Sequence, residues 1–559
     1  MKLSILLPTL LLLASGLIHA QLDGNSRGSS PEVQMELVLD GFGEDISLLS
    51  LGDQGILIGH PIDTSESNSI TSLSIRDKQQ WKFSKYSPDF IQIWEQQLES
   101  NRGLQYVKHF WQDEKIHLLL FQKRKGAHKR FQIISFDIFE GEYSSVEGKL
   151  VGNVKVNDFS VVKDMAYIGG ETEIQRWEKV ARGVATAFVF PIYMGSLKYN
   201  IQHSLTRIDL TSGESKAINY DYSKVSKTQS LAPNEWARSM SILLNHSKKK
   251  EESSIYVKEY AGNQMIRNLK LNPKSDNRLL NGRIKHLNRD DFLVLGTYAA
   301  PYDDQKWLKR FGAGITGTRL KEYAQGIYVA KVRNRGQIYI KYYSFNQFET
   351  FFDAYGKKAK EKAKKKNKKK KKKGKEVLLD VNLLIHDIEE TPDSYLFLAE
   401  SYIPVYEDEK TGTITTQSGK GNMAAGYKYT HAILAAFDKE SGEMQWDNSF
   451  PIFNLVSPQL QTQVELLTES DTCTLIYNLE GSLQARRIHQ GQILQSRQVT
   501  DLSQDLMKKK RDSSYTSQLI HWYDNYFLAW GYKNKKAAQS GSISLDNQNQ
   551  PIFFYKVAY

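Results

Sequence analysis

The chain reads as all-β, and within that class as a seven- or eight-bladed β-propeller with long loop insertions. Three observations predict it. A two-strand phrase recurs along the chain. Short β-branched or aromatic runs, separated by turns of Gly, Asn or Asp, continue to the C-terminus. Long helical periodicity is nearly absent outside one lysine-rich tract.

The phrase is clearest at Phe437 to Trp446, which follows the apolar run His431 to Ala436. An apolar strand ends in Asp, a few polar residues and a Gly come next, and a second strand runs on to an aromatic. Echoes stand at Phe131 to Glu142 and Ser204 to Glu214, with weaker ones at Ile255 to Met265, Gly326 to Ile338 and Ser482 to Leu494. The Asp side chain is expected to bond to nearby backbone, and the Gly to take positive φ. Trp446 is expected to pack between blades. A two-strand unit cannot bury its own apolar face, so repeats of it must stack on one another. The echoes start at irregular intervals of roughly 45 to 110 residues, against roughly 40 to 50 for a plain four-stranded blade, so some blades carry insertions.

Taken in order, Met1 to Ala20 has a basic residue, an apolar run and a terminal small residue, which predicts a secretory signal peptide over residues 1–20. No Cys stands there to carry a lipid. Residues 21–31 are polar and Gly/Ser-rich, a flexible lead, and the propeller is expected over 32–559. Strand candidates stand at Val33 to Leu39, Gly55 to Ile58, Lys115 to Phe121, Val184 to Phe190, Phe292 to Tyr298, Tyr395 to Ala399, Val464 to Leu467, Gln518 to Trp522 and Tyr526 to Trp530. Leu231 to Leu244 has no clear assignment. The terminal run Pro551 to Tyr559 is expected to pair with an N-terminal strand in one blade, which would close the ring and remove long open edges.

Charge is concentrated in one place. The whole chain carries 75 Lys and Arg against 63 Asp and Glu, a net of +12. Residues 357–376 alone hold 14 Lys and two Glu, also a net of +12, so the rest is near neutral. This insertion is expected to be disordered and to make weak, salt-dependent contacts with polyanions such as anionic lipid headgroups or acidic glycans. An export signal makes nucleic acid an unexpected partner. The single cysteine, Cys473, excludes internal disulfides and thiolate zinc sites, and its strand-like surroundings predict a buried small hydrophobe.

No catalytic residue is assigned, and no cofactor or metal site is read. The twelve His residues form no HxH or HExxH pair. Gly312 to Gly317 matches GxGxxG but lacks the strand and helix that such a loop needs, so a plain loop is the better reading. Ser418 to Gly421 lacks full phosphate-loop spacing and lies in a mobile-looking stretch, Thr411 to Gly426. Pro301 to Asp304 and Tyr406 to Glu409 place carboxylates in expected loops, where acid–base work would require convergence on one cleft. Tyr193, Tyr199, Tyr298, Tyr302, Trp307, Tyr402, Tyr406, Tyr427 and Tyr429 lie in or beside expected loops; tyrosine suits partner contact, but blade-edge packing is the commoner use.

The phrase Ala436 to Trp446 resembles the repeat of quinoprotein-type β-propellers, which include bacterial outer-membrane assembly scaffolds. The resemblance covers one hairpin well and the others loosely. With the signal peptide it implies an exported, non-catalytic scaffold in the periplasm or at the cell surface, outer-membrane associated, that binds an envelope protein partner. The alternatives are a glycan- or peptide-acting hydrolase or lyase, and a sugar-binding propeller. The hydrolase or lyase requires convergent carboxylates, or a His beside an acid, in the central funnel.

Overall fold

The computed structural model describes residues 33–38, 46–62, 78–122, 128–174, 200–218, 225–248, 251–299, 323–351, 381–408, 414–416, 422–502, 513–535 and 551–559. The signal-peptide segment, the Lys-rich tract, the run Val184 to Phe190 and the glycine motif Gly312 to Gly317 lie outside them.

The described residues form eight antiparallel sheets of four main strands. Blade 1 is Ser47–Ser50, Ile56–Ile62, Lys78–Tyr86 and Gln92–Asn101. Blade 2 is Leu104–Gln112, Lys115–Gln122, His128–Asp137 and Tyr143–Val151. Val154–Val162, Met165–Ile174, Asn200–Asp209 and Ser215–Ala217 make blade 3. Blade 4 comprises Val225–Asn234, Ser239–Lys248, Glu251–Ala261 and Gln264–Lys270, and blade 5 Arg278–His286, Phe292–Ala299, Gly326–Arg333 and Gly336–Ser344. The main strands of blade 6 are Asn382–Ile385, Ser394–Asp408, Asn422–Asp438 and Met444–Pro451. Blade 7 is Val464–Glu469, Thr472–Leu479, Ser482–His489 and Gln492–Asp501. Blade 8 takes three strands from the C-terminal region, Ser513–Tyr523, Tyr526–Lys535 and Pro551–Ala558, and its fourth, Val33–Val38, from the other end of the chain. Met35 pairs with Phe554 and Leu37 with Ile552, so the expected closure is present.

Eight apolar clusters sit between consecutive blades and complete the circuit. The second strand of blade 2 shows how. Leu118 and Leu120 pack toward blade 1, while Leu119 and Phe121 pack toward blade 3. Alternate residues of a strand point to opposite faces, and here both faces are buried, so the strand reads as the unbroken apolar run LLLF. First strands of blades 2, 3, 4 and 5 pack on one another in turn, as do those of blades 7 and 8, which places them innermost. Trp446 and Cys473 both lie in the seam between blades 6 and 7. Burial pushes the Cys473 thiol up to about 12, as suits an inert core residue.

All six echoes of the phrase fall on the third-to-fourth strand hairpins of blades 2 to 7. Blade 1 turns through Ser87 to Ile91 without the phrase, and in blade 8 those two strands come from opposite chain ends, which accounts for six echoes in eight blades. The three strong copies share one geometry. Asp137 Oδ1 accepts from the Phe139 and Glu140 amides, Asp209 Oδ1 from Thr211 and Ser212, and Asp438 Oδ1 from Glu440 and Ser441. Gly141, Gly213 and Gly442 take φ of 74°, 76° and 70°. Nothing in the strand pairing ties the repeat to the quinoprotein type in particular.

Because strands alternate in direction, first-to-second and third-to-fourth connections share one face of the ring. That face is built of tight turns, such as Asp113-Glu114, Lys163-Asp164 and Ser470-Asp471, each opening on a residue with positive φ. Every internal stretch outside the described residues, residues 357–376 included, joins strand ends on the opposite face. The unassigned segment Leu231 to Leu244 resolves into the end of one strand, the turn Glu235 to Arg238, and the start of the next. One expectation is corrected. Tyr406 to Asp408 and Asn422 to Gly426 are not loop; they continue a long two-stranded ribbon of blade 6, paired as far as Asp408 with Asn422. Backbone ladder bonds hold this ribbon without an apolar run to mark it.

Candidate functional site: the axial cavity

A cavity of about 760 Å³ opens on the ring axis at the tight-turn face. It is walled by the ends of the first strands of blades 2 to 5, the segment after the first strand of blade 6, and Tyr395. In blades 2, 3, 4 and 5 the first strand carries a bulge on the approach, at Val107, Asn157, Gln229 and Leu280. An extra residue bends a strand and re-aims the side chains beyond it. The bulges therefore set the direction of Lys108, His109, Asp158 and Ser160, while Lys285 and His286 follow five and six residues after the bulge of blade 5.

Charges in the wall are paired. Lys108 bonds Asp158, whose other oxygen accepts the Leu231 amide of the next blade at 2.7 Å. Arg283 Nε lies 3.0 Å from Asp387, while its terminal nitrogens donate to the Gln229 and Ile385 carbonyls. Lys285 and Lys439 both reach Glu390, at 3.4 and 3.2 Å. Burial opposes the charge on Glu390, but the two lysines outweigh it and hold the carboxyl below its usual range.

Two residues of the wall carry buried polar atoms that are sealed from solvent and have no hydrogen-bond partner among the described residues. Ser160 is 2 % exposed and its Oγ is unmatched. His286 is 8 % exposed and both ring nitrogens are unmatched. Burial, with Arg267 nearby, pulls His286 down to about 4, so the ring is neutral and offers one donor and one acceptor. His109 differs, since Tyr106 Oη meets its Nδ1 at 2.7 Å. At the mouth Trp236 stands 61 % exposed in the turn of blade 4, with Trp111 across the cavity wall.

A second group lies at the seam of blades 6 and 7. His386 Nε2 meets Glu400 Oε1 at 2.7 Å. The same oxygen accepts the Gln463 and Val464 amides, at 2.8 and 3.0 Å, while the fully buried Oε2 is unmatched among the described residues. Glu465 is next on the first strand of blade 7, accepts the His521 amide of blade 8, and is pushed up to about 7 by burial. Among the described residues, no group of three or more His, Cys, Asp or Glu is placed to hold a metal ion.

The residues that sequence reasoning singled out are not the ones assembled here. Tyr298 is buried in the seam of blades 4 and 5, against Tyr342. Tyr402, Tyr427 and Tyr429 sit in strands of blade 6 rather than in loops, the first two in edge contact at 5.6 Å. Glu407 and Asp408 are successive strand positions that point to opposite faces, so they do not converge. Tyr193, Tyr199, Tyr302, Trp307, Pro301 to Asp304 and Ser418 to Gly421 lie outside the described residues.

No protein-family description matches the chain, and no curated protein does. Solved structures show likeness. The β-propeller domain of the trilobed protease from Pyrococcus furiosus matches at 10 % identity and TM-score 0.32, over 77 % of this chain and 92 % of that one. An ulvan lyase, a polysaccharide lyase, matches at 9 % and 0.37, over 80 % and 91 %. A prolyl endopeptidase matches at 7 % and 0.34, over 94 % and 57 %. At these values the likenesses carry no argument; the fold rests on the strand pairing described above.

Proposed function

We propose that the protein is an exported, non-catalytic propeller that binds a small polar ligand in its axial cavity, acting in the cell envelope. The observation that carries this is the cavity itself, about 760 Å³ walled by five successive blades, with Trp236 61 % exposed at its mouth. The tight turns supply a pre-formed wall, which reduces the ordering cost of binding.

The hydrolase or lyase alternative draws support from the His386–Glu400 pair and from Glu465. Against it, Glu400 Oε1 is committed to two backbone amides across a seam, which is a structural use. A second reading keeps the scaffold role, with an envelope protein docking on the blade 6 ribbon. Its support is the exposure of Ile403, Ile414 and Met423 along that ribbon. Native mass spectrometry of the protein, after incubation with polar small molecules extracted from the envelope, tests the leading reading. A retained small molecule, lost in Trp236→Ala, is the expected result; retention of none contradicts it.

A further inference from the structure

We infer that the tight-turn face is a docking surface for a basic segment of a partner protein, centred on the two turns of blade 2. This does not rest on the cavity holding a ligand, and it concerns the face opposite the blade 6 ribbon.

Charge carries the argument. Fifteen connections of two to eight residues make up the face, 56 residues in all and a tenth of the chain. They hold 19 of its 63 Asp and Glu but five of its 75 Lys and Arg, a net of −14 in a chain whose total is +12. Seventeen of the 19 are exposed. Among the described residues four of them are in ion pairs, Asp291, Asp387, Glu390 and Glu443. Turn geometry does not demand this charge. Asp serves turns, but nine of the 19 are Glu, which is no turn former. Solubility does not demand it either, since both signs interspersed would serve as well. Like charges held on rigid turns repel one another. A cationic partner relieves that repulsion, and the same field steers it in.

The spread of the charge sets the size of the partner. Each of the eight blades contributes at least one of these carboxylates, so no single metal ion or small amine spans them. Anionic lipid and nucleic acid are repelled by such a face. A protein segment bearing Lys and Arg fits it.

Blade 2 supplies the anchor. Its two turns lie side by side, since the Ile138 amide donates to the Glu114 carbonyl at 3.0 Å. They carry Asp113, Glu114, Glu140 and Glu142, all exposed and none in an ion pair among the described residues. Lys115 stands beside them and leaves the patch at a net of −3. Two aromatic rings are exposed in the same place, Trp111 two residues before Asp113 and Phe139 one before Glu140. Lys85 Nζ lies 5.5 Å from the Phe139 ring centre, so this ring already meets one cation and still shows half its surface. An aromatic face beside a carboxylate is the pairing that holds a guanidinium, by cation–π contact with one and a charged hydrogen bond to the other.

The experiment is fluorescence anisotropy of labelled nona-arginine with the full mature chain, with hydrogen exchange to place the contact. A net charge of +12 spread evenly would repel this peptide, whereas charge segregated on one face binds it. Saturable binding that weakens with salt is expected, with slowed exchange over residues 111–114 and 138–143. Affinity should fall about tenfold in the triple variant Glu114→Gln/Glu140→Gln/Glu142→Gln, and about two- to fivefold in Phe139→Ala. It should hold in Asp276→Asn/Glu407→Gln/Asp501→Asn, which neutralises three exposed carboxylates of the opposite face. Circular dichroism checks the fold of each variant. No binding, or equal weakening by the two triple variants, overturns the inference. So does binding that develops only when residues 357–376 are deleted, with the intact chain self-associating at low salt, because the face would then be covered by the lysine tract of a second copy.

Discussion

Gly491 and Trp446 meet at a spacing that only glycine allows: a Cβ on Gly491 would lie 2.6 Å from the Trp446 Cβ. The third-to-fourth turn of blade 7 thus rests on the aromatic that ends the phrase in blade 6. The same device recurs elsewhere. The Gly141 turn of blade 2 lies on Trp94 of blade 1, and the Gly442 turn of blade 6 on Tyr339 of blade 5. Lys85 Nζ and Lys331 Nζ donate to the carbonyls of Ile138 and Lys439, one residue past the Asp of the next blade's turn. The phrase is therefore a contact between blades as well as a turn within one.

From this we expect Gly141→Ala, Gly442→Ala and Gly491→Ala each to destabilise by on the order of 2 kcal/mol or more. Each adds the cost of positive φ to a clash with an aromatic. Gly103→Ala is the control, since φ is also positive there but a Cβ would meet nothing within 4 Å. Chemical denaturation of the four variants reads the difference, which should place Gly103→Ala well below the others.

Asp158 and Ser160 stand two residues apart and should behave oppositely. Asp158→Ala removes an ion pair and the acceptor of the Leu231 amide, and should cost about 2–4 kcal/mol. Ser160→Ala removes a group already without a partner, so stability should hold or rise by up to about 1 kcal/mol. Equal losses in the two variants would argue that Ser160 is structural.

Glu465 should make stability fall with rising pH. Its folded value, about 7, stands above the ordinary 4.5, so the folded state holds a proton that the unfolded state has released. The contribution is full below pH 4.5 and is lost as pH climbs through 7. Glu465→Gln removes this dependence. Relative to the native protein, the variant should gain on the order of 2–3 kcal/mol between pH 4.5 and 8. Comparing the two proteins isolates Glu465 from the histidines, of which His109, His117, His286 and His431 are pulled down to about 4 by burial and oppose it on the acid side. Parallel pH profiles for the two would contradict the assignment.

The architecture was legible because its signals are local. An Asp accepting its own turn amides and a Gly at positive φ fit within six residues, as at Asp438 to Glu443, and such units repeat. The closing strand was legible for the same reason, since Pro551 to Ala558 is an apolar and aromatic run, interrupted only by Lys556, that needs a neighbour. Blade 6 was misjudged where its ribbon leaves the ring. Pro404, Gly426 and the acidic run at Glu407 look like loop, and ladder bonds leave no trace in composition. The cavity was illegible for a geometric reason. Its wall takes a few residues from each of five blades, so Ser160 and His286 stand 126 positions apart and neither belongs to a motif. Only their position on the first strand of a bulged blade links them, three residues past Asn157 and six past Leu280, and a bulge is a property of pairing that shows only once register is known.

Closure of the eight-bladed ring is tested most directly by hydrogen exchange on a chain lacking residues 21–38. In the intact protein Val33–Val38 covers the outer edge of Pro551–Ala558 and brings Met35 and Leu37 into the seam of blades 8 and 1. Removing it should strip protection from Pro551–Ala558 and from the facing strand Tyr526–Lys535, while blades 3 to 5 keep theirs. Unchanged protection over 551–558 would show that the edge is covered by something else and that the ring does not close in this way.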